Sequence, residues 1–101
     1  MFVHHVFFWL KSPNDATVRA EFTKALQELV TISTIRQSHI GIPAATNRPV
    51  VDNTYAFSLL LMFDNKADHD DYQDDPDHHR FIERCSAWWE RVQVYDAVET
   101  D

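Results

Sequence analysis

"FVHHVFFWLK", Phe2 to Lys11, is the stretch on which the reading of the whole chain turns. It is dense in β-branched and aromatic residues, which suit a pleated and half-buried surface, so it reads as a strand. Alternate residues of a strand face opposite ways. One set is Val3, His5, Phe7 and Trp9, and the other is Phe2, His4, Val6, Phe8 and Leu10. Both sets are mainly apolar, so both faces of the sheet need cover. "TYAFSLLLMF", Thr54 to Phe63, repeats the pattern with Tyr55, Phe57, Leu59 and Leu61 set against Ala56, Ser58, Leu60 and Met62.

The segments around these two strands complete an order of elements. "SPND" supplies a turn and N-cap candidates, and Val18, Phe22, Ala25, Leu26 and Leu29 then recur at helical spacing from Ala16 to about Ile32. "TIRQSHIGIP" reads as a second strand closed by Pro43, and Ala44 to Asn53 as a loop. "DNKADHDDYQ" gives a short polar helix that stops near Asp75, because a residue before proline disfavours the helical region. Asp75 as N-cap and Pro76 at the first helical position open a third helix with the stripe Phe81, Ile82, Cys85, Trp88 and Trp89. "VQVYDAV" is the last strand. The order β-α-β-β-(α)-α-β predicts an α+β, ferredoxin-like domain over residues 1–101. Its four-stranded antiparallel sheet carries the helices on one face.

Two long helices cover only one face of such a sheet. The other would leave an apolar patch larger than soluble monomers tolerate, and a two-fold homodimer buries it. With Val3, His5, Phe7 and Trp9 turned to the helices, the dimer face is expected to bear Val6, Phe8, Leu60 and Met62.

Composition narrows the function. The 101 residues are 45% hydrophobic and 13% aromatic, enough for one cored domain. A formal charge of -7 argues against nucleic acid and anionic membranes as partners. The apolar N-terminus lacks a basic flank and is too short to span a bilayer. Cys85 is the single cysteine, which excludes an internal disulfide, suits a reducing compartment and makes the cytoplasm the expected location. One glycine, Gly41, leaves no phosphate-binding loop. The histidine doublets His4-His5 and His78-His79 lack metal-ligand spacing, so no metal site is expected, and the segment Asp68 to Asp77 reads as a solvated acidic face.

"YQDDPDHHRFIERC", Tyr72 to Cys85, holds the candidate chemistry. Helical phase continues the apolar stripe back to His78, while His79 shares its face with Glu83, Ser86 and Glu90. His78 is expected to point inward and His79 to solvent. An imidazole entering an apolar interior needs a partner. The break at Asp75 and Pro76 would fold Tyr72 over the same cavity, and Asp96, in phase with Val92 and Val94, would face inward and orient His78. His5 would be a fourth inward polar group. Phe22, Leu59, Phe81, Trp89 and Val94 would line a pocket for a small apolar or aromatic ligand. A tyrosine, a histidine and a carboxylate in such a pocket suit general acid-base chemistry. The bland alternative is a buried polar network that only fixes the fold.

The chain resembles the stress-responsive dimeric α/β-barrel (Dabb) family over essentially its whole length. The resemblance rests on "VHHVFFWLK", the amphipathic helix, the apolar third strand, Tyr72, Pro76 and His78 as Y-x-x-x-P-x-H, and a final "VYD" ending at Asp96. It implies ferredoxin-like subunits that pair sheet to sheet in a dimeric α/β barrel. A plant polyketide cyclase of the family performs a cofactor-free aldol condensation. Its catalytic tyrosine and histidine fall on Tyr72 and His78, its supporting histidine and aspartate on His5 and Asp96, and its aromatic pocket wall on Trp89. The chain departs from the family in having Asp75 where a second histidine often precedes the proline. The resemblance is compatible with a cofactor-independent acid-base enzyme of cyclase, isomerase or lyase type. It is equally compatible with a cofactor-free monooxygenase of a related barrel family, or with a non-catalytic, stress-related binding or structural protein.

Overall fold

A computed structural model describes residues 1–101. The elements run β1 (Phe2–Leu10), α1 (Ala16–Leu29), β2 (Gln37–Gly41), β3 (Phe57–Phe63), α2 (Lys66–Asp74), α3 (Pro76–Cys85), a 3-10 turn (Ser86–Trp88) and β4 (Trp89–Val98). The strands form one antiparallel sheet in the order β2-β3-β1-β4. This is the ferredoxin-like α+β arrangement expected from the sequence. No helix is long and apolar enough to cross a membrane.

Local chemistry sets the ends of the elements. Asp15 caps α1, its carboxylate accepting from the backbone N–H groups of Thr17 and Val18 at 3.0 and 3.1 Å. Phe22, Ala25, Leu26 and Leu29 then form the buried stripe. The helix ends three residues before Ile32 because the chain tightens there: Ile32 N–H donates to the Leu29 carbonyl, which tucks Ile32 into the core. β3 starts at Phe57 rather than Thr54, because the Asp52 carboxylate takes both the N–H and the hydroxyl of Thr54. The Asp75 carboxylate accepts from Asp77 N–H at 2.8 Å with Pro76 in the first turn of α3, the expected break. That helix stops at Cys85, so Trp88 lies in the 3-10 turn and Trp89 opens β4 rather than extending a helical stripe.

The phase of β1 is the opposite of the one expected. Phe2, His4, Val6, Phe8 and Leu10 are buried beneath the helices, while Val3, His5, Phe7 and Trp9 lie on the open face. The register explains this. His4 lies opposite Leu61 and Asp96, and Val6 opposite Leu59 and Val94, so these residues share one face of the sheet. Val6 and Phe8 therefore belong to the core and not to the open face. Leu60 and Met62 do lie on the open face, opposite His5 and Val3. Phe22 sits at the centre of the core, its ring 5.1 Å from both Phe8 and Phe57 and 5.9 Å from Phe81.

Candidate functional site

A pocket of about 510 Å³ lies between the sheet and the helices α2 and α3. Its apolar wall comes from Val6, Phe8, Leu29, Leu59, Phe81, Ile82, Trp89, Val92 and Val94, and its polar end from His4, His69, Tyr72, Gln73, His78 and Asp96. Seven of the expected lining and site residues meet here: Leu59, Tyr72, His78 and Phe81, with Trp89, Val94 and Asp96 on β4. β4 is an edge strand, and Val94 (39% exposed) and the Asp96 side chain (42% exposed) form a rim open to solvent. Phe22 does not line the pocket. It is wholly buried behind Phe8 and Phe81, which stand between it and the cavity.

His78 is half-buried in the first turn of α3, whereas His79 is exposed, the division that helical phase anticipates. His78 Nδ1 lies 3.2 Å from the Gln73 carbonyl. A carbonyl only accepts, so Nδ1 carries the hydrogen and the lone pair of the neutral ring is on Nε2. Burial lowers the pKa of His78, with the Gln73 bond opposing it, so the ring is neutral near pH 7. The expectation that Asp96 orients His78 is corrected: the Gln73 carbonyl does so.

Asp96 instead holds a different histidine. Its Oδ1 is 2.6 Å from His4 Nδ1, across the β1–β4 register that pairs the two residues. The pKa of His4 is lowered because burial outweighs the hydrogen bond and charge of Asp96, so the neutral Nδ1–H donates to the carboxylate. His5, the expected partner, faces the other way and contacts Phe7 at 4.3 Å between ring centroids.

Tyr72 is 1% exposed and packs against both histidines, its ring centroid 4.7 Å from His78 and 5.9 Å from His4. Burial pushes its pKa well above the usual phenol range, so it stays a hydroxyl donor. Cys85 is buried at the base of α3, and burial pushes its thiol up to about 11, so it is packing and not a nucleophile.

His69 is a further polar residue of the pocket, one to which the sequence reading gave no role at the site. It stacks on Phe2 at 4.2 Å and lies 5.0 Å from the His4 ring. Its Nδ1 is 3.1 Å from Asp70 Oδ1, and its Nε2 is buried without a partner. One signal for it was present: His69 precedes Tyr72 by three residues, which puts both on one face of a helix. Donor atoms of His4, His69 and Asp96 all lie within 4.8 Å of one another, the one group in the chain able to hold a metal ion by this measure.

A ferredoxin-like subunit with a mostly apolar pocket under its helices and a polar cluster at one end is the class that fold and site define. The chain belongs to the stress responsive A/B barrel domain (Dabb) family, whose sequence profile matches residues 2–99. No curated protein matches it by sequence similarity. Among solved structures it is similar to a Dabb family protein with a ferredoxin-like fold from Mesorhizobium loti, at 24% identity and a TM-score of 0.82, covering 99% of this chain and 97% of that one. It is also similar to a dimeric ferredoxin-like protein of unknown function from Thermobifida fusca, at 16% identity and a TM-score of 0.78 over 97% and 90% of the two chains. A third is the hydroxynitrile lyase of Passiflora edulis, at 16% identity and a TM-score of 0.78 over 99% and 94%. At these identities the likeness establishes the fold.

Proposed function

We propose that the chain is the subunit of a homodimeric, cofactor-independent acid-base enzyme acting on a small, largely apolar carbonyl compound of aromatic or polyketide-like type. The observation that carries this reading is the His78 ring. Its Nδ1 is tied to the Gln73 carbonyl, its Nε2 lone pair is left free, and it stands beside Tyr72 in a pocket with an apolar wall.

In the proposed step, His78 Nε2 removes a proton from the carbon next to the carbonyl. The electron pair moves onto the carbonyl oxygen, and the Tyr72 hydroxyl stabilises the resulting enolate by donating a hydrogen bond. The enolate carbon then attacks a second carbonyl or is reprotonated, and the imidazolium returns its proton. The lowered pKa of His78 and the raised one of Tyr72 support these directions: a neutral base and a protonated donor at pH 7. The Asp96–His4 pair acts as a positioning group, its ring packed edge-on against Tyr72. A lyase and a dimeric protein on the same fold are consistent with this reading.

The dimer would form through the open face of the sheet, which carries Val3, Phe7, Trp9, Leu60, Met62 and Tyr95. Phe7 meets Tyr55 and Tyr95 edge-on at 4.9 and 6.0 Å, a ready-made apolar surface.

The test is exchange of the acidic C–H of an aryl 1,3-diketone in D2O, followed by proton NMR. Wild-type protein is expected to accelerate exchange over buffer, and His78→Ala to lose roughly 10²–10⁴-fold of that acceleration. Acceleration retained in His78→Ala overturns the base assignment. Thermal stabilisation by the diketone without any exchange would make the pocket a binding site only.

A further inference from the structure

We infer that His4, His69 and Asp96 form a binding site for one divalent first-row transition metal ion at the polar end of the pocket. The inference does not rest on the acid-base reading, although it draws on the same His4–Asp96 pair, and it reverses the expectation of no metal, which took the segment Asp68 to Asp77 around His69 for a solvated acidic face.

Three elements bring the donors together: His4 from β1, His69 from α2 and Asp96 from β4. Their ligand atoms lie within 4.8 Å of one another. Metal–nitrogen and metal–oxygen bonds near 2.1 Å set tetrahedral donors at about 3.4 Å, so the widest pair closes by at most about 1.4 Å, while His4 Nδ1 and Asp96 Oδ1, at 2.6 Å, move apart. The solvent-open Asp96 side chain and a turn of the His69 ring supply that movement, while His4 is fixed in the sheet.

The second observation is the state of His69. Its Nε2 is buried and has no hydrogen-bond partner, which is an unfavourable state for a polar atom unless it meets a ligand. Its Nδ1, meanwhile, is held by the Asp70 carboxylate at 3.1 Å, and Asp70 is held in turn by Lys66 at 2.7 Å. A carboxylate on one imidazole nitrogen with the other nitrogen free is the arrangement that orients metal-ligating histidines and raises their basicity. The ring packs on Phe2 at 4.2 Å between centroids.

Donor chemistry selects the ion. Two imidazoles and one carboxylate favour zinc, cobalt, nickel or iron(II) over magnesium or calcium, which prefer oxygen. Three protein ligands leave at least one coordination position, and it would face the cavity shared with Tyr72 and His78. An ion there takes a nitrogen of His4, the hydrogen now between His4 and Asp96 Oδ1 moving to the other ring nitrogen. It also takes the unpartnered Nε2 of His69 and an oxygen of Asp96.

The experiment titrates tag-free, chelator-treated protein with ZnCl2 by calorimetry and with CoCl2 by visible absorption, using MgCl2 as the control. One zinc per chain is expected, together with a cobalt absorption band of low-symmetry nitrogen and oxygen coordination, and no magnesium uptake. His69→Ala and Asp96→Asn are expected to weaken zinc at least tenfold, while His79→Ala leaves it unchanged. Asp96→Asn alters an exposed side chain, so it keeps the test sound if His69→Ala does not fold. Absence of zinc uptake by the wild type, or uptake unchanged in both variants, overturns the site. His78→Ala separates the two proposals, since it is expected to keep zinc and lose proton exchange.

Discussion

The two faces of the sheet carry similar loads of apolar side chain and do different work. On the covered face, β1 presents Phe2, His4, Val6, Phe8 and Leu10 to α1, α2 and α3, and two polar groups there are held in pairs, His4 with Asp96 and His78 with the Gln73 carbonyl, while His69 Nε2 has no partner. On the open face, β1 presents Val3, His5, Phe7 and Trp9, all partly exposed, and the groups around them are tied at the margins. Trp9 Nε1 donates to the Thr54 hydroxyl at 2.9 Å, and the Arg91 guanidinium lies 4.1 Å from the Trp9 ring. His4 and His5 are neighbours in sequence, yet one belongs to a buried cluster and the other to a surface. The lesson is that apolarity alone does not mark a core face. What distinguishes it is cover by the helices, under which an unpaired polar atom such as His69 Nε2 becomes costly.

Substitutions on the two faces should therefore break different things. The largest effect is expected from Phe22→Ala on the covered side. Phe22 is fully buried among Phe8, Phe57 and Phe81, and its truncation should cost about 3–5 kcal/mol in urea unfolding of the subunit. Leu60→Asp puts a charge in the middle of the open face. It should leave the far-ultraviolet circular dichroism intact and shift the solution mass by light scattering from dimer to monomer; an unchanged mass would remove this face as the dimer surface.

The pH dependence of exchange sharpens the assignment of His78. Its pKa in the fold is lowered from 6.5, so exchange should rise with pH, pass half-maximum below pH 6.5 and be level at pH 7. The same depression means that the unfolded chain binds the proton first, so this group's contribution to stability falls as pH drops below about 6.5. A half-maximum above that value would argue for a different base. Asp75→Ala removes the cap shared by the start of α3, with an expected cost of about 1 kcal/mol. His79→Ala, on the exposed side of the same turn, should stay within about 0.5 kcal/mol of the wild type.

The helices were legible because their two sides differ. α3 has carboxylates and arginines on one side and Phe81 and Cys85 on the other, so phase alone separated His78 from His79. The caps at Asp15 and Asp75 and the break at Pro76 were readable from local chemistry. Tyr72 beside His78 followed from that break.

β1 offered no such asymmetry. With period-two alternation and apolar residues on both sides, the two phases of the strand are equivalent in sequence, and choosing the wrong one moves every side chain to the opposite face. That is why His5 stood in for His4, and Val6 and Phe8 for Phe7 and Trp9. Phe22 failed for a related reason: helical phase points it inward but does not say whether a cavity or another ring meets it there. The sequence by itself thus determined the order of elements, the helix ends and the inward turn of His78, because these depend on neighbours a few residues apart. Only the tertiary structure decided the face of β1, the pairing of Asp96 with His4 and the arrival of His69 beside them. Those depend on strand register between residues more than ninety positions apart, and on where α2 lands across the sheet.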